Sequence, residues 1–295
     1  MVRQLLLIPC SLAVLLCLQL DSSDAIPSPA PAANQSGLAA PIKEFAGPEA
    51  AAYINYTEAG QSDKCVRLMH KSDSCVKEVL FMGKSAKDVM VPRSEKEIDY
   101  YCDQLRSHMD CLFEYRTCLK LVPKTLYGIM ARDAKKTLKQ ICMNPAAKKQ
   151  ALDHLKCFSD ENFNLYYRML NGYTNVVMHL SKTPEPELPQ LIGSACCAFH
   201  ALYKNGYDMI SHVCDGVTGK ATGQFVGGLV RSFATSAIDV VCGKHSSVEV
   251  CNQLMPKQMQ AFEQQVKEGQ GMRFPFSPVT PLVKILNIMD SSTSL

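Results

Sequence analysis

The sequence predicts an all-α fold: a disulfide-stapled helical bundle whose cysteine rhythm suggests two related halves. Three observations carry that prediction. From Gln61 onward, apolar residues recur at helical spacing between proline and glycine stops, and no alternating, β-branched run bounded by hairpin turns interrupts them. Residues 1–25 read as a secretory leader, with Arg3, the apolar run Leu5 to Leu20 and the small-x-small cleavage pattern Ser23-Asp24-Ala25. Cleavage there removes Cys10 and Cys17 and leaves an even set of twelve: Cys65, Cys75, Cys102, Cys111, Cys118, Cys142, Cys157, Cys196, Cys197, Cys214, Cys242 and Cys251. An even set in an oxidising compartment reads as six disulfides, each stabilising by roughly 2–4 kcal/mol. No CxxC pair opens a zinc site.

Residues 26–60 are rich in Ala and Pro and lack cysteine, so a flexible arm is expected. This arm holds two glycosylation sequons, Asn34-Gln35-Ser36 and Asn55-Tyr56-Thr57. A helical, cysteine-rich half then spans 61–182, with helices near 62–82, 95–119, 124–142, 146–157 and 160–181. The second of these begins with a capping box, Ser94 followed three residues on by Glu97. On its wheel Ile98, Cys102, Leu105, Met109 and Leu112 share one face, and Cys111 and Cys118 project from the opposite one. If helices 62–82 and 95–119 form an antiparallel hairpin, facing residue numbers sum to about 177, which pairs Cys65 with Cys111 and Cys75 with Cys102.

Three prolines between Thr183 and Pro189 mark a link over 183–189. It divides the cysteines seven and five, and the odd numbers require a bridge across it. The second helical half, 190–271, has helices near 190–213, 221–242 and 247–268. Steps of 16, 24 and 15 residues along Cys102, Cys118, Cys142 and Cys157 loosely match 17, 28 and 9 along Cys197, Cys214, Cys242 and Cys251. Within this half, Gly219 to Val241 is rich in small residues and poor in charge. It reads as a central buried helix, or as one lining a cavity for an apolar ligand. The tail, 272–295, is apolar around three prolines and is expected to dock in a groove of the body or on a partner.

Composition narrows the function. Loss of Arg3, Asp21 and Asp24 with the leader moves the formal charge only from +3 to +4, too mild for nucleic-acid binding. The leader's apolar run is short for a bilayer span, and no later stretch supplies one. The chain lacks Gly-x-Ser-x-Gly and any His-Glu-x-x-His, and Gly216-Val217-Thr218-Gly219-Lys220-Ala221 lacks the spacing and hydroxyl of a phosphate loop.

One stretch, Cys196-Cys197-Ala198-Phe199-His200, resembles the active-site helix of secreted phospholipase A2. That resemblance implies His200 as the base beside a calcium ion. Ala201 stands where the family has an Asp, and no glycine-rich calcium loop precedes it. The helical spacing with Cys196-Cys197, Cys214, Cys242 and Cys251 also resembles the cysteine-rich helical secreted proteins of arthropods and nematodes, such as haemolymph glycoproteins. That resemblance implies a non-enzymatic extracellular protein and transfers no functional residue.

The expectation is therefore a secreted binding protein without catalytic residues, metal or cofactor. Its partner is an extracellular protein or an apolar ligand. Carriage of a lipid and His200-dependent hydrolysis are the alternatives.

Overall fold

A computed structural model describes residues 43–80, 91–157, 160–183, 187–214 and 216–292; the leader, Asn34 and 184–186 lie outside them. The first described residues form strand β1 (Lys43–Glu44) and helix α1 (Pro48–Glu58). Five helices follow, α2 (Asp63–Val79), α3 (Glu95–Tyr115), α4 (Leu121–Met143), α5 (Pro145–Leu155) and α6 (Asp160–Ser181), with a 3-10 turn, Arg116–Cys118, between α3 and α4. Beyond the proline-rich link come α7 (Leu188–Val213), α8 (Gly216–Ser232), α9 (Thr235–Val241), α10 (Val248–Leu254) and α11 (Pro256–Gln270). Strand β2 (Met272–Arg273) and helix α12 (Val279–Ser292) close the described chain. The fold is all-α, with six disulfides between helices.

Local sequence sets the helix starts. Ser62, Ser94 and Ser247 each accept a main-chain N–H from the first turn of α2, α3 and α10. Glu97 reaches back to the N–H of Arg93 at 2.6 Å, completing the cap of α3. The Asn144 side chain accepts the N–H groups of Ala146 and Ala147, while Pro145 opens α5. Pro123 and Pro189 stand inside the first turns of α4 and α7, where a missing N–H costs nothing, so neither is the break that its sequence position suggests.

Three expectations are corrected. The arm is folded from residue 43 onward: β1 pairs in parallel with β2, Lys43 opposite Met272 and Glu44 opposite Arg273. Phe45 and Tyr53 stack against Phe274 and Phe276 at centroid distances of 5.1 and 5.0 Å. Those aromatic rings outweigh the proline and alanine composition, because burying each removes a large apolar area from water. Second, the stretch Gly219 to Val241 is neither one helix nor the buried centre. It breaks at Phe233 and Ala234, and Val240 is 70% exposed. The central helix is α6, where Asn171, Thr174, Asn175, Val176 and Val177 are all buried against α7, α11 and α12.

Third, the expected bridges Cys65–Cys111 and Cys75–Cys102 do not form; the structure has Cys65–Cys118, Cys75–Cys111 and Cys102–Cys142. Cys102 and Cys111 are nine residues apart, half a turn around α3, and cannot both face α2. Cys111 and Cys118, two turns apart, do share that side, which frees Cys102 for α4. Facing numbers in the α2–α3 hairpin accordingly sum to 183 and 186, about two helical turns out of the expected register.

The remaining bridges are Cys157–Cys214, Cys196–Cys242 and Cys197–Cys251, of which the first spans the proline-rich link. A repeat follows from these pairings. In one frame Cys65–Cys118 interleaves with Cys102–Cys142; in the other, which crosses the link, Cys157–Cys214 interleaves with Cys196–Cys242. Steps between successive cysteines are 37, 16 and 24 residues in the first frame and 39, 18 and 28 in the second. This alignment differs from the one read off the sequence by one cysteine and makes α2–α3–α4 the counterpart of α6–α7–α8.

The described residues form one compact unit, and α12 ties the frames together. Val283 and Ile285 of α12 are buried, and the helix packs on α2, α4, α6 and α7. At its start the buried Asp73 carboxylate, on α2, accepts the Ser277 N–H at 2.7 Å and the Thr280 hydroxyl at 2.6 Å. An anion at a helix N-terminus is favoured by the helix dipole, so this contact fixes where the tail lies.

Candidate functional site

The notable void lies between the two frames, a cavity of about 110 Å³. Helix α3 supplies Ile98, Cys102 and Leu105 to its wall, and α4 supplies Leu138, Ile141 and Cys142. Ala151 and Leu155 come from α5, Phe225, Val226, Leu229 and Val230 from α8, and Phe233 from the turn after it. Val79, Leu80, Pro92, Tyr101 and Tyr166 complete it.

Each helix presents these residues for a sequence reason. On α3 the lining residues belong to the apolar face of the wheel, with Cys102 among them, so the Cys102–Cys142 disulfide is part of the wall and holds α3 to α4. On α8 an adjoining face is a glycine stripe. A β-carbon at Gly223 would lie 2.9 Å from the Tyr207 carbonyl oxygen, and one at Gly219 only 1.8 Å from that of Cys214. Glycine therefore lets α8 press against the end of α7 backbone to backbone. Phe225 and Leu229, about a third of a turn around from that stripe, line the cavity with residues of α3, α4 and α5.

The wall is almost wholly apolar. Tyr101 donates to the Val79 carbonyl at 3.1 Å. Burial pushes the Tyr101 and Tyr166 phenols well above their ordinary values, as expected for hydroxyls in hydrocarbon surroundings. At the α5–α8 seam, His154 stacks on Phe225 with centroids 4.5 Å apart, and its Nδ1 lies 3.1 Å from the Thr222 hydroxyl. Burial holds this imidazole below its ordinary pKa, partly opposed by the neighbouring Asp153.

Protein interiors seldom keep voids larger than a water molecule. This space is partly open rather than sealed, and its apolar lining suits a small apolar molecule.

The sequence-derived candidates lie elsewhere. His200 is on α7 and is not among the lining residues. Its pKa is depressed by burial, opposed first by a hydrogen bond with the His245 main chain and more weakly by the Glu249 carboxylate of α10. Among the described residues no group of three His, Cys, Asp or Glu side chains could hold a metal ion. Asn55 is exposed on α1, and no helix among the described residues is long and apolar enough to cross a membrane. All twelve cysteines outside the leader are paired.

No protein-family model matches the chain, and neither the characterised proteins nor the solved structures include one significantly similar to it.

Proposed function

We propose that the protein is an extracellular, disulfide-clamped carrier that binds a small apolar molecule in the cavity between its two cystine frames. The cavity itself supports this reading: an almost wholly apolar space of about 110 Å³ in a covalently braced bundle offers hydrocarbon surface that a small apolar molecule would cover. Six disulfides fit an oxidising compartment, as do the leader and the resemblance to secreted helical glycoproteins. The role assigned is binding without catalysis.

Mass spectrometry of an organic extract of the natively purified protein tests the proposal. The expected result is an apolar compound in near-stoichiometric amount, absent from a Leu229→Trp variant that fills the cavity. An empty extract, with no uptake of any apolar probe by the folded protein, would refute the carrier reading. So would calcium-dependent lipid hydrolysis that disappears in His200→Gln.

A further inference from the structure

We infer that Asn55 carries an N-linked oligosaccharide that is attached to the extended nascent chain, before α1 forms; this rests on the extracellular reading and is independent of the cavity. The sequon Asn55-Tyr56-Thr57 lies inside α1, and the helix separates its two essential side chains. Positions i and i+2 stand about 200° apart on a helix. Asn55 is exposed, whereas Thr57 is 5% exposed and its hydroxyl donates to the Ile54 carbonyl at 2.7 Å. A transferase that reads amide and hydroxyl together cannot engage them there. In extended backbone i and i+2 share one side, so only the unfolded segment is a substrate.

The fold keeps that segment open for a long time. Helix α1 has 11 residues, too few to hold alone in water, where roughly 12–15 are marginal even for alanine-rich sequences. What holds it comes from far along the chain. The Tyr53 hydroxyl meets Ser181 Oγ at 2.8 Å across 128 residues, and the Tyr53 ring lies on Phe276 at 5.0 Å. The Tyr56 carbonyl accepts Lys284 Nζ at 3.0 Å across 228 residues. At about 5–20 residues per second, Lys284 follows the sequon by roughly 10–45 s. The finished surface also has room for the product. Ala51 and Ala52 one turn before Asn55, and Ala59 one turn after it, are exposed, so on that face the first sugar adjoins methyl groups. The donor class is a polyprenyl diphosphate oligosaccharide. Asn55 Nδ2 bonds to C1 of its reducing-end amino sugar and gives up one amide proton, while the C1–O bond breaks and the polyprenyl diphosphate leaves with the electron pair.

An Asn34→Gln chain, in which Asn55 has the one remaining sequon, tests this. Secreted from a eukaryotic cell line, it should lose mass on treatment with peptide N-glycosidase, and adding Asn55→Gln should abolish that loss. The same full-length chain, made in a bacterial periplasm and purified folded, should accept no sugar from purified oligosaccharyltransferase and its lipid-linked donor. Reduced, alkylated and unfolded, it should accept one. A secreted, disulfide-bonded chain without sugar, or a native chain modified as readily as the unfolded one, would overturn the inference and leave the extracellular reading intact. A chain retained in the cytosol with its cysteines reduced would remove the extracellular reading as well.

Discussion

The two cystine frames share a covalent plan and differ in how their helices approach. In the first, α4 carries Lys124, Arg132, Asp133, Lys135, Lys136 and Lys139; a β-carbon at its Gly128 would meet only the flexible Arg116 side chain, at 2.8 Å. In the second, α8 has Lys220 and Arg231 as its only charged residues and lies glycine-first against α7. Cysteine spacing sets the topology in both, whereas small-residue content sets the distance between helices. The cavity lies where Phe225 and Leu229 of α8 line the same space as residues of α3 and α4.

The largest expected effect tests the covalent equivalence. Replacing Cys65 and Cys118 together by alanine, and separately Cys157 and Cys214, opens loops of 53 and 57 residues. Chain entropy gives about 4 kcal/mol for each. Urea unfolding should show losses within about 1 kcal/mol of each other; a larger difference would mean that the frames are not equivalent.

Next comes the tie between frames. Asp73→Ala removes the acceptor of the Ser277 N–H and the Thr280 hydroxyl and should cost about 3 kcal/mol, with Asp73→Asn intermediate. Thermal unfolding measures both. A neutral alanine variant would show that α12 is held by its apolar face alone.

The contrast in helix approach predicts a smaller effect. Gly223→Ala should destabilise by about 2 kcal/mol, because its β-carbon meets the Tyr207 carbonyl, and it should also weaken uptake of apolar probes. Gly128→Ala should fall within about 0.5 kcal/mol of wild type, since the Arg116 side chain can swing aside and alanine favours the helix. Equal losses at the two sites would break the comparison.

Acid should act most weakly. Burial depresses the pKa of His154, His179 and His200 from the ordinary 6.5. Below that value the unfolded chain takes up protons that these rings still refuse, so stability declines as pH falls through about 6.5 and continues to decline down to their folded values. Melting temperatures from about pH 7.5 down to 5 should show this fall, and it should flatten when the three histidines become glutamine. A flat wild-type profile would contradict it.

Much of this was legible in the sequence, residue by residue. The Ser94 cap, the oxidised cysteine set and the helical class all follow from local pattern. The wheel of α3 also held the correct bridge partners, since it separates Cys102 from Cys111, whereas the hairpin register pairs both with α2. The glycine stripe on one face of α8 and the apolar row on an adjoining one were both visible as well. Which of them faces a void depends on where α3, α4 and α5 come to rest, and no local signal encodes that. The meeting of Phe45 and Tyr53 with Phe274 and Phe276 joins residues more than 220 positions apart in the chain, which periodicity cannot reveal.

The position of α12 bears on the order of assembly. During synthesis the chain emerges from its amino end, so both cystine frames are complete in sequence before Val283 and Ile285 appear. Until then the surfaces that these side chains cover stay wet, and Asp73 waits without its Ser277 and Thr280 donors. Oxidation of the sulfurs can thus run ahead of final consolidation, and a ribosome stalled shortly before residue 280 would leave a cross-linked body with an open seam.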